Sequence, residues 1–464
     1  MSSVEDRVHA AMRAATDLAA REIRTAPPLR LPPEPAAGAR RRHAPRRWTW
    51  WVGPLTAAAA VVTLAISLVL VRDIQNGGAV PPNPAASTGP GGIPRYYVAL
   101  QKFPGKNGIA ENNIVVGDSL TGQAIAKFAP PAHVTFWSVS ASADDRTFVV
   151  QALTPAKPGE VLLWPNLGTG KITASWYEVH LAPGTANPAR LTLLPVKPQS
   201  WINPSSFKQS TYDPATTGVV STAVSQSGRE LAVLGVPAAG REEVKVFSLA
   251  TGQLLHDWTT DNPSVRVPVQ WVINEWPLQA LTWVDGDRAL AFAAVTSVQV
   301  APSTGVPSAE GTLRSLNVAG PRIGDLLADS TPIWSGRLLG TDWFTSCFAS
   351  GTWPVPISAD GKTVSCGQTN GSRIVFVTNP LTARAPATSA IDYQLKSASG
   401  ADVGVLWTSP SGGTLIGVWG TYTSATQPIH LNFGVISHGR FTPLRLPSSL
   451  TSTLQPGLPF PIAF

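Results

Sequence analysis

From Trp48 to Val71 the chain runs through 24 positions, WTWWVGPLTAAAAVVTLAISLVLV, without an Asp, Glu, Lys, Arg or His. A helix of that length rises about 36 Å at ~1.5 Å per residue, enough to cross a hydrocarbon core of roughly 30 Å with some tilt. It reads as a membrane span, and everything else is arranged relative to it. Arg40, Arg41, Arg42, Arg46 and Arg47 crowd its N-terminal flank, whereas Arg72 on the other side is offset by Asp73. The positive flank stays in the cytoplasm, and Trp48, Trp50 and Trp51 supply an aromatic belt at the same boundary. A cleaved signal peptide needs a short basic start and a small-residue cleavage site. Here 47 residues precede the run and no AxA-like site closely follows Val71. The expected localisation is therefore the cell membrane, single-pass, with residues 1–47 cytoplasmic and the C-terminal part extracytoplasmic.

Charge follows the same division. Residues 1–47 hold ten Arg and five acids, net +5, while the remaining 417 residues carry 25 basic and 23 acidic side chains, net +2. The basic pI thus belongs mainly to the tail and follows from topology, without nucleic acid as a partner. An Ala, Pro and Arg bias is what a high-GC bacterial genome produces.

Residues 2–24 form an amphipathic helix by pattern. Ser2 or Ser3 caps it, and Glu5 and Asp6 suit the positive end of its dipole. Val4, Val8, Ala11, Met12, Ala15, Leu18, Ala19 and Ile23 recur at helical spacing before a Pro-rich run begins at Pro27. So short a helix cannot bury that stripe alone. Val8, Met12, Ala15 and Leu18 are therefore candidate docking residues for a cytoplasmic protein, the alternative being a partly ordered tail or a helix resting on the inner leaflet. Residues 48–72 are the transmembrane helix, and residues 73–94, rich in Pro and Gly, are a linker.

From 95 to 464 a unit recurs: VSASADDRTFVVQAL (139–153), AVSQSGRELAVLGV (223–236), LTWVDGDRALAFAA (281–294), PISADGKTVSCGQ (356–368) and VLWTSPSGGTLIGVW (405–419). Each is an apolar strand, a tight turn built on Asp, Gly or Ser, and a second apolar strand. A third strand and another turn follow, as in EVKVFSLATGQLLHDW (243–258), SRIVFVTNPLTARAP (372–386) and HLNFGVISHGRFTPL (430–444). An opening unit, RYYVALQ with NIVVGDSLTGQAIAKF (113–128), lacks a first strand. The final FPIAF (460–464) can supply it and close a ring, which removes exposed sheet edges.

SADGKTVSC (358–366), SQSGRELAV (225–233) and SPSGGTLIG (409–417) carry an SPDGxxLA-like pattern. On it the chain resembles membrane-anchored WD40-like and TolB-like β-propeller proteins of high-GC bacteria. The resemblance covers nearly all of 95–464 and implies an all-β propeller of about six blades. The WD dipeptide and GH pair are absent, and successive turns lie about 83, 58, 75 and 51 residues apart, more than the 40–45 of WD40 repeats. A shared fold does not specify an activity.

Cys347 and Cys366, the two cysteines, read as a disulfide in an oxidising compartment, the alternative being two buried thiols. Closing the 18 intervening residues contributes on the order of 3 kcal/mol in the chain-entropy picture. No GxSxG elbow occurs, and His133, His180, His256, His430 and His438 are too scattered for a metal site. LGTGK (167–171) lacks the first glycine and the Ser or Thr of a phosphate loop, and SADGKT departs from the Asp-box of sialidases in the position of its glycine. No catalytic, cofactor or metal residue is therefore named. Asp144 with Asp145, and Asp285 with Asp287, read as turn acids needing no cation. Trp271, Trp276, Trp283, Trp334, Trp343 and Trp353 either fill the space between blades or, if exposed, anchor a ligand.

The expected function is that of a sensor or scaffold whose extracytoplasmic propeller binds a protein or envelope ligand. An extracytoplasmic propeller hydrolase or lactonase is the alternative, and signalling to a cytoplasmic regulator through the tail helix is compatible with the first reading.

Overall fold

The computed structural model describes residues 92–464 apart from 105–109, 156–169, 183, 186–187, 204–217, 239–240, 262–280, 301–306, 340–356, 371–372, 382–389, 397–400, 422–428, 448–449, 451 and 454–461. The stretches expected to form the span and the tail helix, and most of the expected linker, lie outside these residues, as do Val8, Met12, Ala15, Leu18 and Cys347. Among the described residues no helix is long and apolar enough to cross a membrane. Contacts divide the chain between Gly78 and Ala79, and the second unit holds every described residue.

The strands fall into six sheets, as six blades require. The first is built on β1 (Tyr96–Pro104), β2 (Ala110–Asp118) and β3 (Ala124–Phe128). The second contains β4 (Thr135–Ala141), β5 (Thr147–Pro155), β6 (Gly170–Leu181) and β7 (Ala189–Leu193), with β8 (Gln199–Asn203) added to β6. The third contains β9 (Gly218–Val224), β10 (Glu230–Ala238), β11 (Arg241–Ser248) and β12 (Leu254–Asp261). In chain order come β13 (Thr282–Val284), β14 (Ala289–Val300), β15 (Pro307–Asn317), β16 (Ile323–Asp325) and β17 (Ser330–Leu339), all in the fourth sheet except β16. The fifth contains β18 (Thr363–Asn370), β19 (Arg373–Pro380) and β20 (Ala390–Lys396). Its first strand is represented by a single bridge, Ile357 to Val364. The sixth contains β21 (Ala401–Thr408), β22 (Thr414–Thr421), β23 (Ile429–Ser437) and β24 (Arg440–Pro443), with β25 (Ser452–Thr453) beside β23.

The last strand, β26 (Ile462–Ala463), pairs antiparallel with β1, Val98 opposite Ala463 and Ala99 opposite Ile462. The C-terminal segment thus supplies the strand that the opening unit lacks. Around the centre β21 touches β26, β26 touches β4, β4 touches β9 and β9 touches β13, so the first strands form the inner wall.

Period-two alternation explains the stacking, because successive residues of a strand meet opposite neighbours. Val98 and Leu100 pack with Phe136, Phe148 and Val150 of blade 2, whereas Tyr97 and Ala99 pack with Ile416, Val418 and Phe433 of blade 6. Both faces are apolar, so the inner strands read as near-continuous apolar runs. Comparable clusters join blades 2 and 3 around Trp176, 3 and 4 around Trp258 and Phe292, and 5 and 6 around Phe376.

The sequence did not foreshadow β16. It leaves blade 4 and adds to the outer edge of blade 3 in parallel with β12, Trp258 opposite Gly324. Arg314 holds the excursion, donating from Nε to Ser330 Oγ at 2.7 Å and from its guanidinium to the carbonyls of Leu327 (2.7 Å) and Ser330 (2.6 Å). Ile323, 78% exposed, gives no strand-like pattern to read.

Glu242 lies on the same side of β11 as Val244 and Val246, which pack toward blade 4. Burial raises its carboxyl from 4.5 to about 7. An unfolded chain ionises this group near its ordinary value while the folded one keeps the proton. Stability is therefore highest below that value and falls as pH rises toward 7, by on the order of 3 kcal/mol. Urea denaturation of Glu242→Gln is expected to lose this part of the fall.

Candidate functional site

Antiparallel up-and-down strands place every first-to-second turn at one end of the ring. Aligned, the five turns are Ser142–Thr147, Ser225–Glu230, Val284–Ala289, Ser358–Thr363 and Ser409–Thr414. Where serine opens the turn it can close it: Ser358 Oγ accepts from Thr363 N–H at 2.9 Å and Ser409 Oγ from Thr414 N–H at 3.1 Å. Ser225 Oγ accepts from the N–H groups of Arg229 and Glu230, both at 3.1 Å.

The fourth position is left-handed in all five turns: Asp145 (φ 57°), Gly228 (69°), Asp287 (69°), Gly361 (70°) and Gly412 (74°). Glycine meets that need without steric cost. The two aspartates are explained by where their carboxylates go. Asp145 Oδ2 and Oδ1 accept from the N–H groups of Arg95 (2.8 Å) and Tyr96 (3.0 Å) in blade 1. Asp287 accepts from Gln226 N–H and from Ser227 N–H (2.8 Å) in blade 3.

Other bonds run forward around the ring. Ala143 N–H donates to Gln226 O (3.0 Å), Asp285 N–H to Ala359 O (2.7 Å) and Asp360 N–H to Pro410 O (3.4 Å). The Gln226 amide donates to Trp283 O (3.3 Å) and reaches Ala359 O (3.2 Å) two blades away. Neighbouring blades are thus tied turn to turn from blade 1 through blade 6, and the turns draw together over this end.

Electrostatics follow from these bonds. Burial alone would raise the Asp118 carboxyl, but the N–H groups of Thr121 and Leu120 and the Arg95 guanidinium outweigh it and hold it below the ordinary value. Arg95 Nε lies 3.0 Å from Asp118 Oδ2. The Ser358 hydroxyl lowers Asp360, and burial followed by repulsion from Asp287 raises Glu230. Asp144 accepts from Ser142 Oγ, from Arg146 and Thr147 N–H, and from Thr147 Oγ1. Acids that could have formed an acid/base pair or a cation site are occupied as acceptors for the fold. Among the described residues no group of three His, Cys, Asp or Glu is placed to hold a metal.

The remaining sequence candidates are dispersed. Cys366 is 3% exposed on β18, and no free thiol occurs among the described residues. Trp283 and Trp334 are buried, and Trp283 Nε1 donates to Ala223 O at 3.0 Å, joining blades 4 and 3. Trp271, Trp276, Trp343 and Trp353 lie outside the described residues. His256 stacks on Trp258 at 4.8 Å, and His133 and His438 occupy left-handed turn positions. Sequence reading missed the cross-blade role of Asp145, Asp287 and Gln226. The available signal was that two aspartates stand where the aligned turns elsewhere have glycine.

No family model matches the sequence, and neither does any curated protein. Solved structures resemble it at low identity. TolB from Acinetobacter baumannii is 15% identical over 79% of this chain and 66% of its own, with a TM-score of 0.40. This chain therefore spans less than two thirds of that protein. The periplasmic gluconolactonase PpgL of Pseudomonas aeruginosa is 12% identical, covering 80% of this chain and 99% of its own, at a TM-score of 0.32. An oligogalacturonate lyase solved with manganese is 13% identical over 77% and 73%, at 0.33. The propeller assignment rests on the strand pairing described above.

Proposed function

We propose that this chain is a single-pass membrane protein whose extracytoplasmic propeller binds a protein or envelope ligand as a sensor or scaffold. The observation that carries the binding reading is the use of Asp118, Asp144, Asp145, Asp287 and Asp360 as acceptors for the fold's own donors. Carboxylates held in this way are poor general acids and bases, which favours recognition over hydrolysis. With the turns drawn together at one end, the ligand face is the end where β12 and β17 finish. The chain beyond them carries Trp271, Trp276, Trp343 and Trp353, residue types suited to anchoring a partner. The Cys347–Cys366 disulfide would staple the connection from blade 4 into blade 5. The 2–24 helix would dock a cytoplasmic regulator through Val8, Met12, Ala15 and Leu18.

Crosslinked co-purification from membranes tests this, comparing the full chain with one lacking residues 2–24. The expected result is an envelope partner retained by both and a cytoplasmic partner lost with the tail. Failure of either chain to retain an envelope partner would remove the binding reading. A cytoplasmic partner retained by both Met12→Asp and Leu18→Asp would remove the docking helix.

A further inference from the structure

At one position of the repeat, blade 5 departs from its neighbours. In blades 2 to 6 the first residue after the turn pairs with a third-strand residue: Phe148 with Val179, Leu231 with Phe247, Leu290 with Leu316, Val364 with Asn379 and Leu415 with Ile436. In blades 2, 3, 4 and 6 both members are apolar and pack on the preceding blade. Blade 5 places an asparagine there. Ile374 and Phe376 of the same strand pack on blade 6, so alternation turns Asn379 toward blade 4. It is 0% exposed, and neither its Oδ1 nor its Nδ2 has a hydrogen-bond partner among the described residues.

Blade 4 meets this position with small residues. Leu290, Phe292, Ala294 and Leu316 pack on blade 3, which leaves Ala289, Ala291 and Ala293, with Ser315 opposite Ala291, on the face toward blade 5. The large residues of that face, Leu313 and Trp334, pair with each other farther from the turn. The two blades meet at the turn end, where Asp285 N–H donates to Ala359 O at 2.7 Å. We propose that Asn379 forms an internal hydration site in this seam, its amide holding an ordered water molecule with the Ser315 hydroxyl as the partner across the seam. An enclosed amide needs a guest that donates to Oδ1 and accepts from Nδ2. Water does both, whereas a metal ion would serve only the oxygen and an anion only the nitrogen. A buried water makes about three hydrogen bonds, a number that the two amide atoms and the hydroxyl supply. The site is independent of which ligand the propeller binds.

The test uses the full chain in detergent with isotope-labelled asparagine, read by nuclear magnetic resonance. A dipolar cross-peak between the Asn379 side-chain amide protons and slowly exchanging water is expected, the resonance being assigned by its loss in Asn379→Ser. An amide resonance with no such cross-peak, or with one of exchange sign only, overturns the site. Asn379→Leu supplies the side chain that blade 4 carries at this position in Leu316 and removes the amide. Where the amide holds water, this variant leaves the guest without its partners, and urea denaturation should show the unfolding equilibrium constant raised about tenfold. An unchanged or lowered constant identifies a bare polar group that leucine relieves, and overturns the proposal as well. Should Asn379→Leu not fold, the cross-peak in the unsubstituted chain decides.

Discussion

Removing Ile462–Phe464 is expected to lower the stability of the propeller by at least about 4 kcal/mol and to replace one cooperative urea transition with two. β26 supplies backbone partners of Val98 and Ala99 on the side of β1 away from β2, so its loss removes the inner strand of blade 1 and leaves that edge of β1 unpaired. Ile462 and Phe464 are 5% and 4% exposed in the cluster with Tyr97, Leu406, Ile416 and Phe433, and the Tyr97 and Phe464 rings sit 5.9 Å apart. Phe464→Ala alone is expected to cost about 3 kcal/mol, because the rigid strands on either side cannot collapse into the space. Without the closure each blade contacts only its chain neighbours, and an open array can unfold from its ends. Unchanged denaturation of the truncated chain would show that β26 does not hold the ring.

Asp145→Ala is expected to cost about 3 to 5 kcal/mol by the same measurement. Two N–H groups, those of Arg95 and Tyr96, would lose their acceptor in a position that is 3% exposed. Each such loss costs about 1 to 3 kcal/mol, and alanine at φ 57° adds on the order of 1 kcal/mol. Asp145→Gly separates the two causes: it relieves the backbone while removing the same acceptors, and should recover roughly that last 1 kcal/mol. Full recovery by glycine would show that the cross-blade bonds contribute nothing.

Much of the fold was legible in the residues. The five hairpins at 139–153, 223–236, 281–294, 356–368 and 405–419 could be read because apolar runs flank turns whose chemistry is local: a residue tolerant of left-handed backbone in all five and, in three of them, a serine that accepts within its own turn. The closing strand at 460–464 was legible by counting, since the opening unit lacked a partner. β16 was not legible, because its pairing to β12 depends on where Arg314 holds the loop and not on any strand-like pattern in Ile323–Asp325. The turn face was only half legible. Asp145 and Asp287 could be recognised as turn residues, but their acceptor role requires knowing which blade stands next to which.

By itself the sequence determined the charge-free run and its flanks, the alternation that makes each strand apolar on both sides, and the number of repeated units. These properties arise from neighbours a few residues apart, where hydropathy and backbone preference act directly. Only the tertiary structure decided that Asp145 reaches Arg95 and Tyr96, that Gln226 spans to Ala359, and that the turns collect at the end where the chain joins the ring. Those contacts join residues 49 to 133 positions apart. Their partners are fixed by ring closure and blade order, which no local pattern of residues encodes.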